Sequence, residues 1–312
     1  MIFCRNLIAM EQKNSPKTIN SITELHRVLG LPKPTNTLIT LIDHSQEREQ
    51  NDVDNQKMVL NFYNITIKRS FQGQLKYGKS NYDFDEGTLS FLAPNQVLTI
   101  DEKGDQNTNG WSLLFHPDLL ANTSLSKSIK SYGFFSYSVN EALHLSEKEE
   151  GIIENLVQNI RDEYSSTIDL YSQDVIISNI ELLLNYCNRF YSRQFITRKM
   201  ASNDLLANFE TKLASYFDTK TQRKLPTVKS IALELNVSSN YLSDMLRTIT
   251  GQNTQQHIHS KLISTAKEEL ATTSKSISEI AFQLGFEHSQ SFNRLFKNKT
   301  DLSPLEYRNS FN

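Results

Sequence analysis

The sequence predicts an α+β chain of 312 residues, with an antiparallel β-barrel or sandwich first and an all-α region last. Three observations predict it. Residues 37–116 carry short apolar runs bounded by turn-forming stretches, with no helical period between them. Residues 146–191 switch to helical spacing. Residues 227–297 contain one amphipathic pattern twice. At about 150 residues per domain, the length also suits two domains.

The elements follow in order. Residues 1–34 read as a separate N-terminal segment, a candidate for poor order. Arg5 interrupts its short apolar stretch and no small-residue cleavage pattern follows, so no secretory leader is expected. Strands are expected at 38–42, 59–67, 74–77, 88–92, 96–100 and 111–115, with turns at 51–55, 78–81 and 103–110. Pro117 suits the first position of a short helix over 118–122. Ser146 and Glu149 form a capping box, each satisfying a backbone N–H of the other, ahead of Ile152, Ile153, Leu156, Ile160 and Tyr164 at helical spacing. A second helix over 170–191 sets Ile176, Ile180, Leu183, Cys187 and Phe190 at steps of 4, 3, 4 and 3. This seam is either packing against the sheet or a homodimer interface, and the two are compatible. The polar, basic stretch 193–203 marks the boundary, giving a sensor and dimerisation domain at 35–200 and a last domain at 201–312.

Composition excludes several classes. With 38% hydrophobic residues, 10 Gly and 7 Pro, the chain is neither collagen-like nor low-complexity. Its longest apolar candidate, 175–184, is broken by Ser178, Asn179 and Glu181, so no membrane partner is expected. Two cysteines, Cys4 and Cys187, cannot make a disulfide scaffold and suit a reducing cytoplasm. Net charge is −2; residues 203–312 hold 13 basic against 11 acidic side chains, too even to announce nucleic-acid binding.

Site signals in the first two thirds are weak. Residues 73–80 satisfy the phosphate-loop pattern G-x-x-x-x-G-K-S literally. Leu75, Lys76 and Tyr77 alternate like a strand, and the acidic, non-helical stretch 81–86 follows where a helix is required, so a β-hairpin is the better reading. His26, His44, His116 and His144 have no metal-ligand spacing, and His257 and His259 point to different faces of a helix. Cys187 lies on the apolar seam. No catalytic constellation, metal or cofactor is expected, and the chain reads as a non-enzyme.

The repeat carries the function. Val228, Ile231, Ala232 and Leu235 recur 49 positions later as Ile277, Ile280, Ala281 and Leu284. Thr227 caps the first helix, and Ser276 with Glu279 forms a capping box on the second. The turns 236–238 and 285–288 follow, the second one residue longer, with Gly285 as helix stop. Leu242, Met245 and Leu246 then correspond to Phe292, Leu295 and Phe296. Two helices joined by a short turn, with Ala on the inner face of the first, make a helix-turn-helix. The outward positions of the second helices are Ser239, Asn240, Ser243, Asp244 and Arg247, and then Ser289, Gln290, Ser291, Asn293, Arg294 and Lys297. Such side chains can read base edges in a major groove. Ile258, Leu262, Ala266 and Leu270, spaced by four behind Thr254 as cap, predict one long helix holding the two units at a fixed separation on double-stranded DNA.

The stretch 277–308 resembles the signature of the AraC/XylS transcription regulators. Leu284-Gly285-Phe286, Phe292, Arg294, Phe296-Lys297, Pro304 and Tyr307-Arg308 stand where that pattern has them, and 228–246 resembles the family's first helix-turn-helix. Three positions depart from it: Asp244 matches Arg294, Asp301 replaces the glycine before Ser-Pro, and Lys261 replaces an arginine. The resemblance implies a bacterial transcription regulator with a seven-helix DNA-binding domain, and RNA polymerase as a further partner if it activates. Residues 35–120 are similar in arrangement to cupin-like sensor domains, with 86–96 as their strand and proline turn, which implies a small-molecule effector. The alternative reading is a cupin-like enzyme tethered to DNA. A third keeps the DNA role and gives the first domain only a protein partner or dimerisation.

Overall fold

The computed structural model describes residues 17–44, 57–69, 76–77, 80–81, 87–99, 109–138, 141–166, 169–197, 199–217 and 225–311. The chain divides into two compact units, 1–194 and 195–312. Cys4, the turn 51–55, Gly73, Gly78 and most of the turn 103–110 lie outside the described residues.

The first unit starts earlier than expected. Lys17–Ile19 (β1) and Ile22–Val28 (α1) place Ile19 and Ile22 in its core, fully buried, so residues 17–34 are no detached segment. Ser21 caps α1 by accepting from the Glu24 N–H, and Glu24 in turn accepts from Asn20 N–H. The strands are Ile39–Asp43 (β2), Lys57–Leu60 (β3), Tyr63–Arg69 (β4), Lys76–Tyr77 (β5), Ser80–Asn81 (β6), Thr88–Leu92 (β7), Gln96–Thr99 (β8), Asn109–Phe115 (β9) and, after a short helix Leu125–Ser128 (α2), Leu143–His144 (β10).

They form two larger sheets and a hairpin. The orders are β1-β3-β8, β10-β7-β4-β9-β2 and β5-β6. The expected single strand 59–67 is two strands in different sheets. The chain crosses between them at Asn61, whose N–H donates to the Ile19 carbonyl. No ladder joins the two larger sheets among the described residues, so the expected barrel does not close there. In the phosphate-loop lookalike the described residues pair antiparallel, Tyr77 with Ser80, as a hairpin.

The five-stranded sheet has two unlike faces. One is apolar: Ile65, Ile67, Leu89, Leu113 and Phe115 are fully buried. Helix Glu147–Ser165 (α3) lies over it. Its Glu154 accepts from Trp111 Nε1 at 2.7 Å, and Arg69 pairs with both Glu150 and Glu154. The Ser146–Glu149 capping box opens α3 as predicted. The other face turns toward the three-stranded sheet. There Ile42 and Leu114 share a core with Ile19, Met58 and Leu60.

Helix Ser172–Thr197 (α4) carries the seam. Ile180, Leu183 and Cys187 are fully buried and Ile176 and Phe190 nearly so, within a single chain. The seam is therefore interior packing, which corrects its use as a dimer interface: a side chain without exposed surface has none to offer a partner. Burial raises the Cys187 thiol well above its ordinary pKa, which removes it as a nucleophile.

The second unit is helical. It comprises Lys199–Phe217 (α5), Val228–Glu234 (α6), Ser239–Thr250 (α7), Thr254–Thr272 (α8), Ile277–Gln283 (α9), Ser289–Thr300 (α10) and Pro304–Asn309 (α11). The boundary at 194/195 falls within α4, six residues before the expected one. Helix α5 was not placed by the sequence pattern, although the implied seven-helix domain requires it and Phe209 and Leu213 give it a buried stripe at i, i+4. No helix among the described residues is long and apolar enough to cross a membrane.

Candidate nucleic-acid interface

The two helix-turn-helix units, α6–α7 and α9–α10, are built by the same local chemistry. Each first helix begins with a reciprocal cap, Thr227 with Ser230 and Ser276 with Glu279. The Ser276 backbone N–H holds the Glu279 carboxyl below its ordinary pKa. Each first helix ends in the same paired bonds. Val237 N–H donates to Ala232 O and Phe286 N–H to Ala281 O, both at 3.0 Å. Asn236 N–H donates to Leu233 O, and Gly285 N–H to Phe282 O. This is the Schellman motif, whose C′ residue adopts a left-handed backbone. Asn236 has φ 55° and Gly285 φ 93°, so Gly is the least strained choice and Asn the usual substitute.

Close packing fixes the second helices. Ala232 and Ala281 are essentially without exposure, as are Leu242, Met245 and Leu246 in one unit and Phe292 and Phe296 in the other. A run of rings fills the second core: Phe286 to Phe292 at 5.5 Å, Phe292 to Phe296 at 5.7 Å and Phe296 to Tyr307 at 5.5 Å. Leu295 is only half-buried at its edge.

Helix α8 joins the units. Its cap is Asn253, in a box with Gln256, one residue before the expected Thr254. Thr254 is instead fully buried and bonds Ser243 of α7 through hydroxyls 3.0 Å apart. At the other end the Leu270 carbonyl accepts from Arg308 Nε of α11. His257 bonds Thr250 and His259 bonds Gln255, on different sides of the helix as expected, and burial lowers both pKa values.

The positions expected to face DNA divide unequally. On α10, Gln290, Ser291, Asn293, Arg294 and Lys297 are exposed and Ser289 is half-buried in the first turn. Neither Arg294 nor Lys297 makes an ion pair among the described residues. On α7, Asn240 and Arg247 are exposed while Ser239 and Ser243 are half-buried. Ser243 is spent on Thr254, and Arg247 Nη1 lies 3.0 Å from Asp244 Oδ1. Sequence reasoning missed two positioning residues: Asn236, whose register with Gly285 would have shown it, and Tyr241, which meets Phe195 edge-on at 5.1 Å.

A duplicated helix-turn-helix with polar outward faces defines a DNA-binding transcription regulator. A family profile described as a helix-turn-helix domain matches residues 231–310. The regulatory protein SoxS of Escherichia coli (strain K12) is 32% identical over 96 residues, which are 31% of this chain and 89% of that protein. The uncharacterized HTH-type transcriptional regulator YijO of the same strain is 24% identical over 229 residues, 73% of this chain and 77% of YijO. Among solved structures, the C-terminal domain of the two-component response regulator yesN from Fusobacterium nucleatum is 31% identical, with a TM-score of 0.29, covering 35% of this chain and 97% of that domain. The chain belongs to the AraC/XylS family of transcription regulators.

Proposed function

We propose that this regulator reads a specific operator by setting α7 and α10 into successive major grooves on one face of the duplex. The observation that supports it most is the coincidence of two recognition helices, each following a first helix with the same reciprocal cap and the same terminal bonds, on one connector, α8. The groove-facing residues are Ser239, Asn240, Arg247, Ser289, Gln290, Ser291, Asn293, Arg294 and Lys297. Arg294 and Gln290 lie one turn apart, at i and i+4, and supply the reach for base edges; Lys297 supplies a phosphate contact. Ser243 contributes by holding α7 against α8.

Residues 17–194 form a cupin-like sensor that an effector controls, supported by the polar inner face of the five-stranded sheet. A homodimer belongs to the same reading; with the seam interior, its contact would use the outward face of α4, where Val175 and Leu182 are exposed.

Selection from random duplexes followed by footprinting tests the DNA reading. The expected result is one enriched sequence with two protected patches about 10 base pairs apart. Binding without enrichment, or a single protected patch, would overturn the two-groove reading.

A further inference from the structure

The inner face of the five-stranded sheet carries a polar band that DNA recognition does not use. Ser90, Thr66 and Ser112 stand side by side across β7, β4 and β9. In the next row Thr88 and Lys68 are paired, Lys68 faces Gly110, and His44 follows the end of β2. His44 Nε2 is 2.8 Å from Ser112 Oγ, Ser112 Oγ is 2.8 Å from Thr66 Oγ1, and Thr66 donates to Asn64 Oδ1 at 3.0 Å. Thr66, Ser90, Ser112 and His44 are half-buried and Lys68 is exposed.

A face turned toward a second sheet ordinarily buries apolar side chains. Farther along this same face Ile42 and Leu114 do so. A band of hydroxyls there forgoes that burial; Thr66, Ser112 and His44 bond one another, while Lys68 beside them makes no ion pair among the described residues. The band's charge points to the kind of partner. Among the described residues, this face of the sheet carries Lys68, His44 and, on β10 beside Thr88, His144, and no carboxylate; Asp43 lies on the opposite face, paired with Trp111. Burial first and Lys68 second lower the His44 pKa, against a smaller opposite pull from Asp43, which favours the neutral imidazole. The backbone of β4 is engaged by β7 on one side and β9 on the other. Side chains are therefore the available donors, unlike the backbone cradles that take phosphates. One ammonium beside neutral hydroxyls balances one negative charge, and charge-assisted bonds to a carboxylate are the strong ones in this donor set.

We propose that this band is a binding site for a small monocarboxylate, held by Lys68 with Thr66, Ser112 and His44 as neutral hydrogen-bonding partners. It rests on the reading of the first unit as an effector-controlled sensor and names the effector's class. Gly110 answers the close approach of β4 rather than a ligand: a Cβ there would lie 2.1 Å from the Ile67 carbonyl oxygen and 3.3 Å from His44 Nδ1.

The single tryptophan of the chain gives one readout of the test. Trp111 neighbours Ser112 on β9 but lies on the opposite, α3-covered face, so its emission can report on the band only through the strand, and titration calorimetry reads binding directly. The intact protein is titrated with acetate, lactate, benzoate and octanoate and with their four amides, while operator affinity is followed in parallel. At least one acid is expected to give a saturable binding heat, with or without an emission change, that its amide does not. Lys68→Met should weaken it roughly ten- to hundredfold, as loss of a charged hydrogen bond does. Lys68→Arg should keep most of it, and Ser112→Ala should weaken it less than Lys68→Met. Circular dichroism confirms folding, and Lys68→Gln replaces the Met variant if that one unfolds. An amide that binds as well as its acid, equal binding by Lys68→Met, or no response to any acid overturns the proposal. The two readings fail separately. An acid whose binding depends on Lys68 but leaves operator affinity unchanged keeps the site and removes effector control. A neutral compound that alters operator affinity keeps effector control and removes the carboxylate.

Discussion

The two recognition helices share a backbone and differ in what they leave available. In α7, Arg247 is paired with Asp244 and Ser243 is tied to Thr254. In α10, Gln290, Asn293, Arg294 and Lys297 stand exposed without an acid among them. Equal scaffolds with unequal surfaces teach that packing and recognition are separable here. The inward residues set the frame, and the outward ones can lose charge without disturbing it. The first helix-turn-helix is expected to supply shape and hydrogen bonds and the second most of the charge and base discrimination.

The largest effect tests the shared frame. Phe292→Ala and Leu242→Ala should each cost about 2–5 kcal/mol of stability, the Phe nearer the top, because each leaves a cavity in a fully buried site. Urea unfolding of the two variants checks it; a cost under about 1 kcal/mol for either would mean that its unit is loosely packed.

Next comes the recognition difference. Gln290→Ala and Arg294→Ala should each cost about 1–3 kcal/mol on the selected operator and much less on random DNA. Asn240→Ala should cost less than either, measured by the same competition titration. Equal losses from both helices would break the comparison, and full wild-type binding by the Gln290→Ala, Arg294→Ala double variant would end the role of α10.

A smaller effect comes from freeing Arg247. Asp244→Asn removes the neutralising carboxylate, so binding should tighten and the log–log salt slope should steepen by about 1, the contribution of one added phosphate contact. An unchanged slope would show that Arg247 does not reach DNA.

The smallest concerns the ends of the same helices. Gly251 ends α7 at φ 78°, and Asp301 ends α10 at φ 61°. A side chain is strained there, so Asp301→Gly should raise stability by roughly 0.5–1 kcal/mol, read from the thermal midpoint. No gain would mean that the aspartate compensates locally.

What could be read in the sequence follows from how local its cause is. Both helix-turn-helix units, the Ser146 and Ser276 caps and the strand 88–92 depend on residues within a turn or two of each other, and all were legible. The split of 59–67 was overlooked although the alternation changes phase there, from Met58, Leu60 and Phe62 to Tyr63, Ile65 and Ile67; which sheet each half joins is decided by distant partners, Gln96 on one side and Leu113 on the other. The seam of α4 was ambiguous for the same reason: its spacing is identical whether a sheet or a second chain covers it. Helix α1 was legible and overlooked, since Ser21 and Glu24 carry the three-residue capping spacing. In the interface, the exposed row on α10 followed from inward Phe292. The pairing of Ser243 with Thr254 did not, because it joins two helices whose crossing the sequence does not state.

Helix α8 is gripped at both ends, by Ser243 near its start and by Arg308 near its finish. Its 19 residues at about 1.5 Å each span roughly 28 Å, comparable with the pitch of B-DNA. The connector is therefore a ruler and an angle gauge at once. One residue inserted into it would advance the second unit by about 1.5 Å and swing it by roughly 100° about the helix axis. The chain could remain folded and still lose its operator, because the two reading heads would no longer be in phase with the duplex. Changes in the length of α8 are thus changes of address, and a family built on this connector can vary its reading surfaces far more freely than its spacing.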